Sequence, residues 1–257
     1  MDLCIKKIAG FFRAISGSPH PKNFTIAIIA AAGMSERFGG ETTKQMTELC
    51  GKPLLFHTLR AYQKADCIHE IILVAKRNEM ETWENLCRDF GMFKVKKIVP
   101  GGINRQESVL NGLEQVDKRS KFVAIADGAR CLTTAEQIKA VCHAAYKYKA
   151  ATAAHRSTDT VKIADGKGFI DSTPDRNTVW LAQTPQVFKT NLYRAAAYTA
   201  LKKAYEATDD NSLVEYIGHP VRLVECGATN IKITTREDLP IAEAILRERK
   251  RYEKEDF

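Results

Sequence analysis

The sequence predicts an α/β fold, a mostly parallel sheet with right-handed crossovers, on three observations. Strand-like apolar runs alternate with amphipathic helical segments from residue 24 to about residue 150, the pattern of successive βαβ units. The first run, FTIAIIAAAG (24–33), is continuously apolar and ends in glycine, as suits a central parallel strand covered on both faces. Polar stretches at 33–45, 101–108 and 127–130 follow the first, third and fourth runs, where an open parallel sheet gathers its ligands.

The elements follow in order. PLLFHTLRAYQKA (53–65) carries apolar residues at helical spacing, and EIILVAK (70–76) reads as a second strand. NEMETWENLCRDFG (78–91) is a helix closed by Gly91, a residue suited to the left-handed position after a helix. KVKKIVPGG (94–102) is a strand into a turn, RQESVLNGLEQV (105–116) a helix, and KFVAIADGAR (121–130) a strand broken just after Asp127. TAEQIKAVCHAAYKYKA (134–150) is a helix with Thr133 or Thr134 as its cap. The alternation loosens over 151–188, which reads as a strand followed by a hairpin-like excursion around DGKG and TPDRN. A helix at about 189–206, a return through VRLVECG (221–227) and a charged helix at about 237–254 complete the chain. No internal repeat is evident.

The chain has 257 residues and a net charge of +8. That length fits one domain, and the basic balance suits phosphate-bearing ligands. No Lys/Arg block with interleaved aromatics occurs, so nucleic acid is not an expected partner. Seven cysteines without a Cys-x-x-Cys pair argue against a disulfide framework or a zinc knot. Free thiols in a reducing compartment are the expectation, and with them a cytoplasmic location. No apolar run reaches the roughly 18–20 residues that span a bilayer, and no stable membrane association is expected. Residues 1–22 form a separate N-terminal extension in which Leu3, Ile8, Phe11, Phe12 and Ile15 share one helical face. A short packed helix or an idle extension is expected there, ahead of a membrane-surface helix. His57, His69, His143, His155 and His219 show no metal-ligand spacing, and no G-x-S-x-G elbow is present.

The loop after the first strand, beginning Gly33-Met34-Ser35-Glu36-Arg37-Phe38-Gly39, matches neither the dinucleotide fingerprint nor the P-loop. Its backbone N–H groups can still face an anion, and Arg37 and Lys44 can neutralise a triphosphate; two solvated surface charges are the plain alternative. Asp127 ends an otherwise apolar strand, where a carboxylate can stand near magnesium or simply cap a turn. Arg130 can pair with it or bind a substrate anion. Gly101 and Gly102 allow close backbone approach to a flat base or a tight turn. Lys232, within the β-type run NIKIT (230–234), points away from Ile231 and Ile233.

Taken together, AAGMSERFGGETTKQ, GGINRQESV, IADGAR, TPDRNTVWLAQTPQVF, ATDDNSLVE and NIKITTREDL stand in an order that resembles the 2-C-methyl-D-erythritol 4-phosphate cytidylyltransferase family over about residues 24–248. The resemblance implies a Rossmann-like nucleotidyltransferase fold over 23–257 with a protruding β-arm at about 155–178. It implies transfer of CMP from CTP to methylerythritol 4-phosphate, with Mg²⁺ as cofactor, in non-mevalonate isoprenoid synthesis. Carried onto this chain, Arg37 and Lys44 stabilise charge on the phosphates, and Ala31, Ala32, Gly33, Gly102 and Ser108 hold the cytosine, with Arg105 in support. Asp127 lies by the metal and the ribose or substrate. Arg176, Lys232, Arg130, Thr160 and Thr208 hold the sugar-alcohol phosphate. The arm implies a homodimer with shared active sites. The chain departs from the family pattern at Thr43, at Ile103, where an acidic residue is common, and across Ala126–Cys131. Ribitol or ribulose 5-phosphate is the alternative substrate, and a noncatalytic nucleotide-binding protein the alternative class.

Overall fold

The computed structural model describes residues 21–33, 38 and 43–255; the expected N-terminal helix and Arg37 lie outside the described residues. The chain runs β1 (Thr25–Ala30), a hairpin of β2 (Glu48–Leu49) and β3 (Lys52–Pro53), α1 (Leu54–Lys64), β4 (Glu70–Ala75), α2 (Met80–Asp89) and β5 (Val95–Pro100). It continues through α3 (Arg105–Glu114), β6 (Phe122–Asp127), α4 (Ala135–Tyr148), β7 (Ala150–Arg156) and a small hairpin of β8 (Ile163–Ala164) and β9 (Ile170–Ser172). The long strand β10 (Trp180–Lys189), α5 (Thr190–Lys202), α6 (Asp210–Tyr216), β11 (Arg222–Glu225) and α7 (Asp238–Glu255) follow.

Seven strands form one sheet in the order β11-β7-β10-β6-β1-β4-β5. β1 pairs in parallel with both β4 and β6, and β10 alone runs antiparallel to its neighbours β6 and β7. The continuous apolar runs of the central strands are explained by burial on both sides. Ala27 and Ile29 face a core with Leu55, Leu59, Tyr62, Trp83, Ile138 and Val141, beneath α1, α2 and α4. Ile26 and Ile28 face the opposite core, with Val109, Leu113, Tyr193, Ala196 and Leu213 beneath α3, α5 and α6. The same two-residue alternation sends Ile71 and Leu73 one way and Ile72 and Val74 the other, as a pleated strand requires. A third cluster seats α7 through Ala242 against Phe38, Leu49, Leu54 and Ile233.

Helix ends follow local chemistry. Thr134 caps α4 with a reciprocal bond pair to Gln137, and Asn104 caps α3 by accepting from the Glu107 N–H. Gly91 stands just beyond α2 at φ +64°, the left-handed conformation that glycine adopts without strain.

Four stretches differ from the sequence-based expectation. The excursion around DGKG is the β8–β9 hairpin, but the stretch after it, not read as a strand, forms the ten-residue β10, which enters the main sheet. The helix expected to reach 206 stops at Lys202, and Ala204 takes a positive φ of +49°. NIKIT joins no sheet: the segment is extended and is tied to the body by the Ile233 N–H donating to the Ala129 carbonyl at 2.9 Å. Its alternation holds all the same, with Ile233 fully buried. The short helix α6 was not anticipated either; Asp209 caps it by accepting from the Ser212 N–H.

Candidate active site

The carboxyl ends of β1, β5 and β6 open into a cleft of about 490 Å³, a size suited to a small-molecule ligand. Ala30, Ala32 and Gly33 supply one wall, Gly102 to Arg105 with Ser108 a second, and Asp127 to Ala129 the floor. Lys44, Gln45, Lys232 and Thr234 close the remaining side.

The glycine pair is required by close approach rather than by backbone conformation. A Cβ on Gly101 would lie 2.2 Å from the Ala32 Cβ, and one on Gly102 would lie 2.4 Å from the Glu107 side chain. Only bare backbone lets the loop after β5 lie against the loop after β1. The Ser108 hydroxyl braces this loop, accepting from the Gly102 N–H at 3.0 Å and donating to the Asn104 carbonyl at 2.8 Å. The Ile103 N–H donates to the Glu107 carboxylate at 2.9 Å, which leaves the Ile103 side chain 88% exposed at the pocket rim.

Asp127 is the charged centre. Arg105 Nε donates to its Oδ1 at 3.1 Å, and Lys232 Nζ stands 3.0 Å from its Oδ2. Arg130 Nε lies behind the same oxygen at 3.7 Å. Burial alone would raise this carboxyl's pKa, but Arg105, Lys232 and Arg130 together hold it well below the usual carboxylate range. Arg105 also donates to Asp210 at 2.7 Å, so one guanidinium ties the pocket floor to the first residue of α6. Burial works against the Arg105 cation, and Asp210 and Asp127 outweigh it, raising its pKa. Three cations around one carboxylate leave a net positive pocket that an anion of several charges would complement.

The expected site residues divide into groups. Lys44, Ala32, Gly33, Gly102, Ser108, Asp127 and Lys232 line the cleft. Ala31 does not: its side chain is buried in the core, and its N–H donates to the Val74 carbonyl. Arg130 sits one layer back, its Nη1 on the Asn230 carbonyl at 2.7 Å. Thr208 is exposed, with its hydroxyl 3.2 Å from that of Ser212. Thr160 and Arg176 are exposed on the arm, where Arg176 Nη1 donates to the Thr158 carbonyl; neither lines this chain's own cleft. The sequence reading passed over Gln45, Asn104, Asp210 and Thr184. Asn104 carried a legible signal, a cap residue three positions before a glutamate. Asp210 carried none, because its partner Arg105 is far away in sequence.

Burial pushes the Cys87 and Cys226 thiols up to about 11 and Cys131 to about 12, so these are packing residues rather than nucleophiles. Among the described residues no group of three or more His, Cys, Asp or Glu side chains forms a metal cage. Among the described residues the cleft offers a single carboxylate, Asp127. That donor set fits magnesium bound chiefly by substrate phosphates and water, with one protein carboxylate beside it.

A doubly covered, mostly parallel sheet with a cationic cleft at its carboxyl edge defines a nucleotidyltransferase of Rossmann-like fold. The family model for 2-C-methyl-D-erythritol 4-phosphate cytidylyltransferase matches residues 25–248, and the chain belongs to that family. A relative of that name from Caldanaerobacter subterraneus subsp. tengcongensis is 46% identical over 222 residues, covering 86% of this chain and 98% of its own. The crystal structure of 4-diphosphocytidyl-2C-methyl-D-erythritol synthase from Anaerococcus prevotii superposes with a TM-score of 0.78 at 33% identity, covering 88% of this chain and 99% of that one. The cytidylyltransferase structure from Thermus thermophilus gives 0.71 at 32% identity, covering 86% and 98%. The chain is thus a cytidylyltransferase enzyme, as the motifs implied, and the ribitol or ribulose phosphate alternative is not favoured. Among the described residues no helix is long and apolar enough to cross a membrane.

Proposed function

We propose that the cleft binds CTP and directs methylerythritol 4-phosphate onto its α-phosphorus, releasing pyrophosphate. The observation that carries this reading is the cationic ring of Arg105, Lys232 and Arg130 on Asp127, opening toward Lys44 at the end of a parallel sheet. Such chemistry asks the protein for position and charge rather than a covalent intermediate. Ala32, Gly33, Gly102 and the Ser108-braced loop form the narrow wall for the cytosine. Backbone carbonyls there accept from the amino group that uracil lacks. Lys44 and Arg37 hold the triphosphate and stabilise the charge that develops on it.

Lys232 and Arg130 bind the phosphate of the second substrate, with Thr208 near the rim. Asp127 is the residue that would stand beside a magnesium ion carried by the substrate phosphates, and that ion would supply neutralisation of phosphate charge. Arg176 and Thr160 complete the sugar-phosphate site from the arm of a second protomer, so the working form is a homodimer. Three observations support that assembly: the arm stands away from its own cleft, it carries both residues, and it exposes Phe169, Ile170 and Ile163. The free cysteines agree with a cytoplasmic enzyme.

The test is pyrophosphate release from CTP and Mg²⁺, with methylerythritol 4-phosphate and ribitol 5-phosphate compared side by side. Turnover with the first and little with the second is expected. The reverse preference would move the protein to pentitol phosphate metabolism, and silence with both would overturn the enzymatic reading.

A further inference from the structure

We infer that Asn230 is a positioning residue for this reaction, locking the 230–234 segment to β10 so that Lys232 and Arg130 stand on Asp127. The inference rests on the reading that Lys232 and Arg130 hold the sugar phosphate. Asn230 is fully buried, and every polar group of its side chain is used. Nδ2 donates to Gln183 Oε1 at 3.2 Å and to the Thr184 carbonyl at 2.9 Å. Oδ1 accepts from the Thr133 hydroxyl at 2.8 Å. A carbonyl oxygen only accepts, so Thr184 fixes which way round the amide sits.

Thr184 lies where the β10–β7 pairing is interrupted between Ala182 and Gln186, and Asn230 supplies the donor that the ladder omits there. The same Thr184 accepts from the Asp127 N–H through its hydroxyl at 3.1 Å. The Asn230 backbone carbonyl accepts from Arg130 at 2.7 Å. Two residues on, Lys232 reaches Asp127, and the next residue ties the segment back to Ala129. One buried amide therefore joins the 230–234 segment that carries Lys232 to Thr133, on the stretch that carries Asp127 and Arg130, and to β10, without lining the cleft itself. A shift of about 1 Å in a positioned group is enough to slow a reaction on the order of a hundredfold.

The experiment is a kinetic double-mutant cycle. Asn230→Ala should raise the KM for methylerythritol 4-phosphate on the order of tenfold, with the KM for CTP held within about twofold. In a Lys232→Ala background, the same change should add no more than about threefold, because the part of its effect that runs through Lys232 is already lost and only the part through Arg130 remains. Multiplying losses in the double variant, or equal rises in both KM values, would overturn the inference. If Asn230→Ala does not fold, Thr133→Val removes one of the amide's bonds and should show the same non-additivity at about threefold. A Lys232→Ala enzyme with an unchanged sugar-phosphate KM would instead overturn the substrate role of Lys232, and this inference with it. The single and double variants therefore separate the two failures.

Discussion

Asp127 shows how one residue draws its meaning from its neighbours. An ionised carboxylate at 8% exposure is tolerated because three cations reach it, and removing it leaves those cations facing each other. Asp127→Asn should lower stability by about 3 kcal/mol, read by chemical denaturation. The pH dependence follows from the sign of the shift. The folded-state pKa is depressed, so the stabilisation is fully present above the unfolded value of about 3.9 and fades as pH falls below it. The gap between parent and Asp127→Asn should therefore be constant near neutrality and shrink below about pH 4; a gap that widened in acid would contradict the assignment. Lys44 belongs to the same scale. Lys44→Ala should lower kcat about a hundredfold or more, with a smaller rise in the KM for CTP. A change confined to KM would mean that it binds ground and transition states alike.

At the scale of elements, α3 is the part of the frame that the site depends on most. It carries Arg105 and Ser108 on its first turns, and Gly112 seats it against the sheet. A Cβ at Gly112 would lie 2.6 Å from Ile28 Cγ2 and 3.0 Å from Val74 Cγ2, both on central strands with no room to retreat. Alanine gains about 1 kcal/mol of helix propensity, but overpacking costs about 1–3 kcal/mol, so the clash outweighs the gain. Gly112→Ala should lower Tm by roughly 2–4 °C, and its outward push on α3 should raise the KM for CTP. An unchanged Tm would show that the helix re-seats without strain. The cap of α4 is a milder case: Thr134→Ala removes the reciprocal bonds with Gln137 and should cost about 1 kcal/mol with kcat untouched, since α4 does not reach the cleft.

For the whole molecule, the arm is the part that its own protomer does not explain. Phe169 and Ile170 are 72% and 64% exposed on a two-stranded hairpin of two and three residues, which is not stable in water by itself. Phe169→Asp combined with Ile170→Asp should yield monomers by light scattering and abolish turnover of methylerythritol phosphate. Mixing subunits offers a sharper test. An Arg176→Ala dimer and a Lys44→Ala dimer should each be impaired, yet a mixed dimer contains one intact site and should regain activity after co-refolding. No recovery would place Arg176 in its own protomer's cleft.

The amino-acid sequence by itself determined the alternating frame, because burial on both faces demands continuous apolar strands at β1, β4 and β6, and helix caps announce themselves within four residues. It also determined the family and the polar loops at the strand ends, through motifs whose order survives without contact information. Only the tertiary structure decided which of those residues meet. The Arg105–Asp127–Lys232 cluster joins stretches more than a hundred residues apart, Ala31 turned out to serve the core, and NIKIT lies outside the sheet. The insertion of β10 as an antiparallel strand was likewise beyond local signals, since a strand's partners are chosen by packing across the sheet rather than by its own residues.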